Sequence, residues 1–258
     1  MKAGDIAAII EELAPGHLQE SWDNSGFTVG APHKEVNSAL LALDCTPEVL
    51  QEAVEKGIGM IITHHPLIFS PLKRIVGASV VERMVETAIK NDIVIYSAHT
   101  NADKILPGVS GLMASRLGLV NVEILDKEDG GETGLGVVGD FESALSFPEV
   151  LELVKSRFSL SLVRCSKPAD GKISRVALCG GSGSSLIPAA IKSGAQLLIT
   201  GDISYHRFLC EKSFMVMDIG HFESETEVLD FLKDVLLKKL VNFEVRISDN
   251  NNNLIYYY

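Results

Sequence analysis

The 258-residue sequence lacks long apolar runs, closely spaced cysteines and clusters of basic residues. Because a membrane-spanning helix needs roughly 20 apolar residues in succession, we expect no transmembrane segment. The four cysteines contain no CxxC pair, which is typical of a protein from a reducing compartment. The N-terminal stretch MKAGDIAAIIEELAP has acidic residues within its apolar pattern and predicts an amphipathic helix rather than a signal peptide. These features favour a cytoplasmic protein.

Positive charge is also scarce. The chain has 23 Lys and Arg against 34 Asp and Glu, a formal net charge of −11. Because contacts with nucleic-acid phosphates need clustered basic side chains, this balance argues against general nucleic-acid binding. Lys73 and Arg74 in SPLKR form the basic pair close after the sequence THHP, and no obvious triphosphate clamp extends it. We therefore expect no general nucleic-acid partner.

What the sequence does contain is an alternation of short apolar segments with helical patterns. The segment TPEVLQEAVEKG predicts a helix with Thr46 as its N-cap and Gly57 at its end. It lies between two predicted strands, ALLALD and IGMIITHH. This order is typical of an α/β fold with a mostly parallel sheet.

The same order of segments returns in the second half of the chain. A shift of 137 residues aligns Leu41 with Leu178. A shift of 122 residues aligns His99 with His221, and each of these histidines is followed four residues later by a carboxylate. Shared βαβ patterns alone would produce some of these matches, but we favour a duplicated unit that gives two related α/β lobes.

The predicted lobes are joined by a short segment. We place the first lobe at 1–125, a connecting segment with one helix at 126–170, and the second lobe at 171–258. The glycine-rich, charged stretch LDKEDGGETGLGVVGDF predicts loops at the start of the connection. The last residues, LIYYY, predict a final strand.

Polar clusters follow the predicted strands, and ligands of parallel α/β sheets bind beyond the carboxyl ends of strands. The clusters are THHP, SAHTNAD, TGDISYH and DIGHFESE. His64 and His65 end one strand, where adjacent side chains normally point to opposite faces and Pro66 favours an extended backbone. The two imidazoles would then diverge, one toward each of two closely spaced metal ions.

Asp103, His221 and Glu225 would supply the further ligands that a two-metal site between the lobes needs. If a helix begins at His221, the spacing of four places His221 and Glu225 on one face. A single strand-end histidine is more often an ordinary polar residue, but the combined motifs are difficult to obtain by chance. The donor set lacks thiolates and suits Zn, Fe, Mn, Co or Ni without selecting among them.

Two histidines lie near this predicted ligand set without belonging to it. His99 and His206 are candidates for proton transfer or for orienting a ligand. The turn GGSGSS at 180–185 has two interpretations, an anion cradle at a helix N-terminus or a serine-capped turn.

These motifs resemble those of the dinuclear-metal family of GTP cyclohydrolase I type 2 homologues, also called Ngg-interacting-factor-three-like proteins. The resemblance covers almost the whole chain, and the matching stretches follow the family's order: SWDNSGFTVG, THHPLIF, HTNAD, CGGSGSS, TGDISYH and DIGHFESE. It implies two related α/β lobes and a toroidal homohexamer. It places the family's metal ligands at His64, His65, Asp103, His221 and Glu225, with Glu225 as the bridge.

The resemblance also implies an activity, the opening of the guanine imidazole ring of GTP. A water activated by two divalent ions is compatible with that chemistry, so we expect a metal-dependent hydrolase acting on GTP, another nucleotide or a related metabolite. The alternatives are a metallo-phosphoesterase or an amidohydrolase-like enzyme with another substrate. A non-enzymatic ring protein that binds metal or a partner is a further alternative.

Overall fold

The computed structural model describes residues 1–128 and 130–257, which leaves Asp129 and Tyr258 outside the described part of the chain. Within that part, no helix is both long enough and apolar enough to cross a membrane. The strands, numbered along the chain, are β1 (Gly26–Val29), β2 (Ser38–Ala42), β3 (Met60–Thr63), β4 (Val94–Ser97), β5 (Val120–Lys127), β6 (Gly134–Leu145), β7 (Arg164–Cys165), β8 (Ile173–Leu178), β9 (Leu197–Thr200), β10 (Met215–Asp218) and β11 (Glu244–Ile247). The α-helices are α1 (Ala3–Glu11), α2 (Pro47–Lys56), α3 (Val80–Lys90), α4 (Thr100–Asp103), α5 (Val109–Leu117), α6 (Phe147–Phe158), α7 (Ile187–Lys192), α8 (His221–Glu225) and α9 (Glu227–Lys239).

The chain forms two compact units, each with its own sheet. The first unit comprises Met1–Ala102 and Val228–Tyr258, and the second comprises Asp103–Glu227. The boundaries predicted at 125/126 and 170/171 both fall inside the second unit. Strand pairing explains the difference, because β6 joins the second sheet beside β8 while β11 returns to pair with β2.

The first unit contains a sheet in the order β1-β4-β3-β2-β11, in which β11, β2, β3 and β4 are parallel. The residues of β2, β3 and β4 are buried throughout, as expected for parallel strands covered on both faces. Val49 of α2 and Val85 of α3 pack into one apolar cluster with Ile61 of β3. The predicted capping of α2 is confirmed, because the Thr46 hydroxyl accepts a hydrogen bond from Val49 N and Gly57 is left-handed.

The second unit contains a sheet in the order β5-β6-β8-β9-β10-β7, in which β8, β9 and β10 are parallel. One apolar cluster joins Val150 of α6 to Leu197 of β9, and another joins Ala190 of α7 to Leu198, the next residue of the same strand. Neighbouring strand residues thus face opposite cores, as the period of two along a strand requires. Both units are α/β, which confirms the predicted fold class.

Strand register supports the duplication. Leu41 pairs with Ile62 across β2 and β3, and the residues 137 positions later, Leu178 and Ile199, pair across β8 and β9. The correspondence between the two units ends before His99 and His221, because the second unit has one additional residue between the strand end and the histidine.

The added residue is Gly220. Ala98 N donates to Thr63 O in the first unit, and Ile219 N donates to Thr200 O in the second. His99 follows Ala98 directly, whereas Gly220 separates Ile219 from His221. Its φ of +91° is a left-handed conformation that glycine adopts without steric cost, so this residue turns the chain between the strand end and the helix α8.

Two sequence-based predictions of secondary structure are wrong. The stretch predicted as loops at the start of the connection contains part of β5 and β6, because β6 pairs with both β5 and β8. The predicted final strand is also not formed: residues 254–257 are not in a strand, and Tyr258 lies outside the described residues. Among the residues that the structure describes, the last strand is β11, in which buried Val245 pairs with Ala39.

Candidate metal centre

His64 and His65 continue the hydrogen bonding of β3 past its end. Their backbone N–H groups donate to the carbonyls of Ala42 and Leu43, over 3.2 and 2.9 Å. His64 is fully buried and His65 is partly exposed, yet their ring centroids lie only 5.0 Å apart. The two imidazoles therefore stay close together beyond the strand end.

His99 completes a cluster of imidazoles in the first unit. Its ring centroid lies 5.2 Å from that of His64 and 5.4 Å from that of His65. One ring nitrogen from each residue lies within 4.8 Å of the others. The structure thus places His99 among the candidate ligands, whereas the sequence predicted a proton-transfer or orienting role beside them.

An oxygen acceptor holds the Nδ1 nitrogen of each imidazole in this cluster. His64 Nδ1 lies 2.8 Å from the carbonyl oxygen of Ala98. His65 Nδ1 lies 3.0 Å from Oδ1 of Asp44. Because these oxygens can only accept, Nδ1 carries the proton and a neutral ring keeps its lone pair on Nε2. Metal-binding histidines are commonly oriented by such carbonyl and carboxylate partners.

Asp23 is the corresponding partner of His99, and its side chain is completely buried. Its Oδ1 accepts from His99 Nδ1 at 2.7 Å, and its Oδ2 accepts from the hydroxyls of Ser25 and Thr100. Burial alone would raise the pKa of Asp23. The hydrogen bonds from His99, Thr100 and Ser25 outweigh it and hold that pKa well below its usual range.

In the second unit, His221 and Glu225 lie at the two ends of α8. A helix does begin at His221, the condition on which the spacing argument depended, and Nε2 of His221 lies 3.2 Å from Oε2 of Glu225. Nδ1 of His221 lies 2.7 Å from Oδ2 of Asp202, which repeats the arrangement of the first unit. Glu225 is buried and His221 is partly exposed.

The turn CGGSGSS lies directly against these side chains. Gly181 has a φ of +56°, and a Cβ added there would lie 2.4 Å from Oε1 of Glu225 and 3.1 Å from Nε2 of His221. Gly181 N donates to the hydroxyl of Ser224, and its carbonyl accepts from Thr200. The carboxylate of Glu225 beside the turn would repel a bound anion. The turn therefore fits a tight strand-to-helix connection better than an anion cradle.

Asp103 and Glu225 both influence the buried thiol of Cys179. Burial raises the pKa of Cys179, and the negative charges of the two carboxylates raise it further. The thiol therefore stays protonated at neutral pH, which leaves imidazole and carboxylate as the candidate donors of this unit. Asp103 ends α4 and belongs to the second unit, not to the first lobe in which the sequence analysis placed it.

His206 has different surroundings. It lies on the exposed 3₁₀ turn Tyr205–Phe208, and its ring contacts that of Tyr205 with centroids 5.3 Å apart. It belongs to none of the groups of possible metal ligands found among the described residues.

Sequence reasoning missed the carboxylates that orient the histidines, namely Asp23, Asp44 and Asp202. A signal was available for two of them, because Asp44 and Asp202 follow strand ends in ALLALD and TGDISYH. The donors present fit divalent ions: imidazoles with oriented Nε2 atoms in the first unit, and imidazole with carboxylate in the second.

Comparison with known proteins places the chain in a family. A GTP cyclohydrolase 1 type 2 homolog from Clostridium perfringens is 38% identical over 244 residues, 93% of each chain. Hypothetical protein SA1388 of Staphylococcus aureus has a similar structure, with a TM-score of 0.91, 28% identity and coverage of 100% of this chain and 99% of the other. Reduced HcgD from Methanocaldococcus jannaschii matches with a TM-score of 0.82 and 31% identity, covering 96% of this chain and 98% of its own. The model of the Duf34/NIF3 (NGG1p interacting factor 3) family matches residues 1–253, and the chain therefore belongs to this family.

Proposed function

We propose that the chain is a dinuclear divalent-metal protein and a metal-dependent hydrolase of a nucleotide or related small metabolite. The observation that carries the proposal is the convergence of His64, His65 and His99, with their Nδ1 atoms fixed by oxygen acceptors. The proposed ligands are His64, His65, Asp103, His221 and Glu225. Two bound divalent ions would supply an activated water at neutral pH.

Two further histidines, His99 and His206, lie outside the proposed ligand set. His99 would either add a ligand or accept a proton beside the ions, and its bond to Asp23 fixes its orientation in both cases. His206, whose exposed ring contacts Tyr205, stays the second proposed candidate for proton transfer or for orienting a ligand.

The nucleotide substrate is proposed from the relatives, among which the Clostridium perfringens protein is called a GTP cyclohydrolase 1 type 2 homolog. The test is turnover of a panel of nucleotides, nucleoside phosphate esters and cyclic amides by metal-loaded protein. We expect hydrolysis that a chelator abolishes and added divalent metal restores. Hydrolysis of phosphate esters alone would favour a phosphoesterase, and bound metal without turnover would favour a non-enzymatic metal or interaction protein.

The dinuclear claim has its own measurement. Elemental analysis after loading and gel filtration should give about two ions per chain. His65→Ala should lose mainly one of them, since the other donors remain. One ion or none in the unmodified protein would contradict the dinuclear centre regardless of any turnover.

We also propose a homohexamer in the cytoplasm. The hexamer rests on the family resemblance, and the location rests on the scattered cysteines, which are free thiols. Light scattering at micromolar concentration should give about six times the 27.9 kDa chain mass. A stable monomer would contradict this assembly.

A further inference from the structure

Two large aromatic side chains are exposed side by side in the first unit. Trp22 is 58% exposed and Phe69 is 52% exposed. Their ring centroids lie 6.0 Å apart, and the ring planes are inclined by 51°. Exposed neighbouring aromatic rings are uncommon on a protein surface unless they contact a ligand or a partner.

The pair borders the imidazole cluster. The ring of His99 lies 6.2 Å from that of Trp22 and 6.4 Å from that of Phe69, nearly perpendicular to both. A ligand that covers the two apolar rings would therefore have the polar imidazoles at its edge. Planar heteroaromatic rings have this character, since their faces are apolar and their edges carry nitrogen and oxygen atoms.

The two loops that carry the pair are joined. The side-chain amide of Asn24, two residues after Trp22, donates over 2.6 Å to the carbonyl of Ile68, which directly precedes Phe69. Between Trp22 and Asn24, the buried carboxylate of Asp23 is held by several hydrogen bonds. A ring that binds here meets side chains whose backbone is already positioned, which lowers the entropic cost of binding.

We propose that Trp22 and Phe69 form a stacking platform for the planar heteroaromatic ring of a substrate, such as a nucleobase. The inference rests on the proposed function, because it makes the platform the part of the site that recognises the ring beside the metal ions. Stacking of a base on an aromatic side chain typically changes affinity by about tenfold or more. The platform would therefore select nucleotides over phosphate esters without a ring.

Trp22 is the only tryptophan of the chain, so its fluorescence reports directly on the platform. Guanosine and GTP should change its emission saturably in both metal-loaded and metal-stripped protein. Inorganic tripolyphosphate and ribose 5-phosphate should leave the emission unchanged, because they lack a planar ring. Emission that does not respond to guanosine, or that responds equally to tripolyphosphate, would overturn the proposal.

A pair of variants separates stacking from general apolar contact. Phe69→Ala keeps the Trp22 reporter and should weaken guanosine binding about tenfold or more. Ile75→Ala is the matched control, since Ile75 is 49% exposed in the same loop and should leave guanosine affinity unchanged. Equal affinities of Phe69→Ala and unmodified protein would refute the platform.

Measurements on the same samples also tell a stacking platform from an interface between copies, and failure of the platform from failure of the metal centre. If the pair is an interface between copies, Trp22 emission should depend on protein concentration and Phe69→Ala should change the mass measured by light scattering, which would overturn the stacking role. Two bound ions without a guanosine response would reject the platform and leave the metal centre standing. A guanosine response in protein that never binds two ions would support the platform and reject the dinuclear centre.

Discussion

Asp23 and His99 lie 76 residues apart in the sequence and are joined by a hydrogen bond of 2.7 Å between Oδ1 and Nδ1. The bond fixes one imidazole of the candidate metal cluster from a loop that contributes no proposed ligand. Because the Asp23 side chain is fully buried, its charge depends on the protein donors around it.

If His99 adds a ligand to the metal site, Asp23→Asn should weaken divalent-metal binding. The amide keeps the shape of the side chain but removes the charge that orients and polarises His99, and losing such a partner typically costs about 10- to 100-fold in metal affinity. The measurement is calorimetric titration with Zn²⁺ or Mn²⁺. Asp92→Asn is the control, since Asp92 has an exposed carboxylate paired with Lys34. Equal affinities for both variants would show that His99 does not contribute to the metal site.

Under the proposed ligand assignment, Glu225→Gln and Asp103→Asn should differ in their effect on the two ions. A bridging carboxylate offsets the repulsion of two divalent cations, which at about 4 Å and an effective dielectric constant of about 20 is on the order of 16 kcal/mol, four times that of two unit charges. Glu225→Gln should therefore lower the occupancy of both ions, and Asp103→Asn mainly that of one. Metal stoichiometry measures this, with circular dichroism to confirm folding. Loss of both ions only in Asp103→Asn would reverse the assignment.

Local sequence patterns predicted the repeated strands and helices well. The helix α2 has its cap residue, its apolar face and its terminal glycine within one short segment, so no distant contact is needed to recognise it. The strands β5 and β6 were missed because their glycines resemble loop sequence. Their hydrogen-bond partners are formed only by the folded sheet, which local propensity does not encode.

The candidate ligands were predictable because they occupy strand ends, whereas their oxygen partners depend on tertiary contacts. The duplication gives a partial indication of one such partner, because the shift of 137 residues that aligns the strands also aligns His65 with Asp202. The same position thus holds a candidate ligand in one unit and the partner of His221 in the other. Sequence similarity between the repeats conceals this exchange of roles.

Acid should destabilise the protein in part through Glu52. This buried carboxylate of α2 accepts hydrogen bonds from Lys56, Ser248 and Asn250. Burial would raise its pKa, but these bonds lower it from the ordinary value of 4.5 to about 2. Since the folded-state pKa is depressed, the stabilisation is complete above about pH 4.5 and is lost as the pH falls toward about 2.

Glu52→Gln should therefore lower the free energy of unfolding at neutral pH by about 2 kcal/mol and flatten its dependence on pH in this acidic range. Urea denaturation between neutral and acidic pH measures both effects. Glu55→Gln, on the same helix but exposed, should change neither. An unchanged acid slope in Glu52→Gln would mean that the contact with the C-terminal segment does not stabilise the fold.

Gly181→Ala should damage the metal centre by a steric route. Its Cβ would lie 2.4 Å from Oε1 of Glu225, so the carboxylate must move, and we expect metal affinity to fall at least about tenfold. Gly118→Ala is the matched control: its φ of +71° brings similar backbone strain, of about 1 kcal/mol, but no described atom lies within 4 Å of the added Cβ. Thermal unfolding should show comparable destabilisation of both variants, whereas calorimetric titration should show weaker metal binding for Gly181→Ala alone. If both variants bound metal like the unmodified protein, Glu225 would have to bind no ion in its present position, and the proposed ligand set would be wrong.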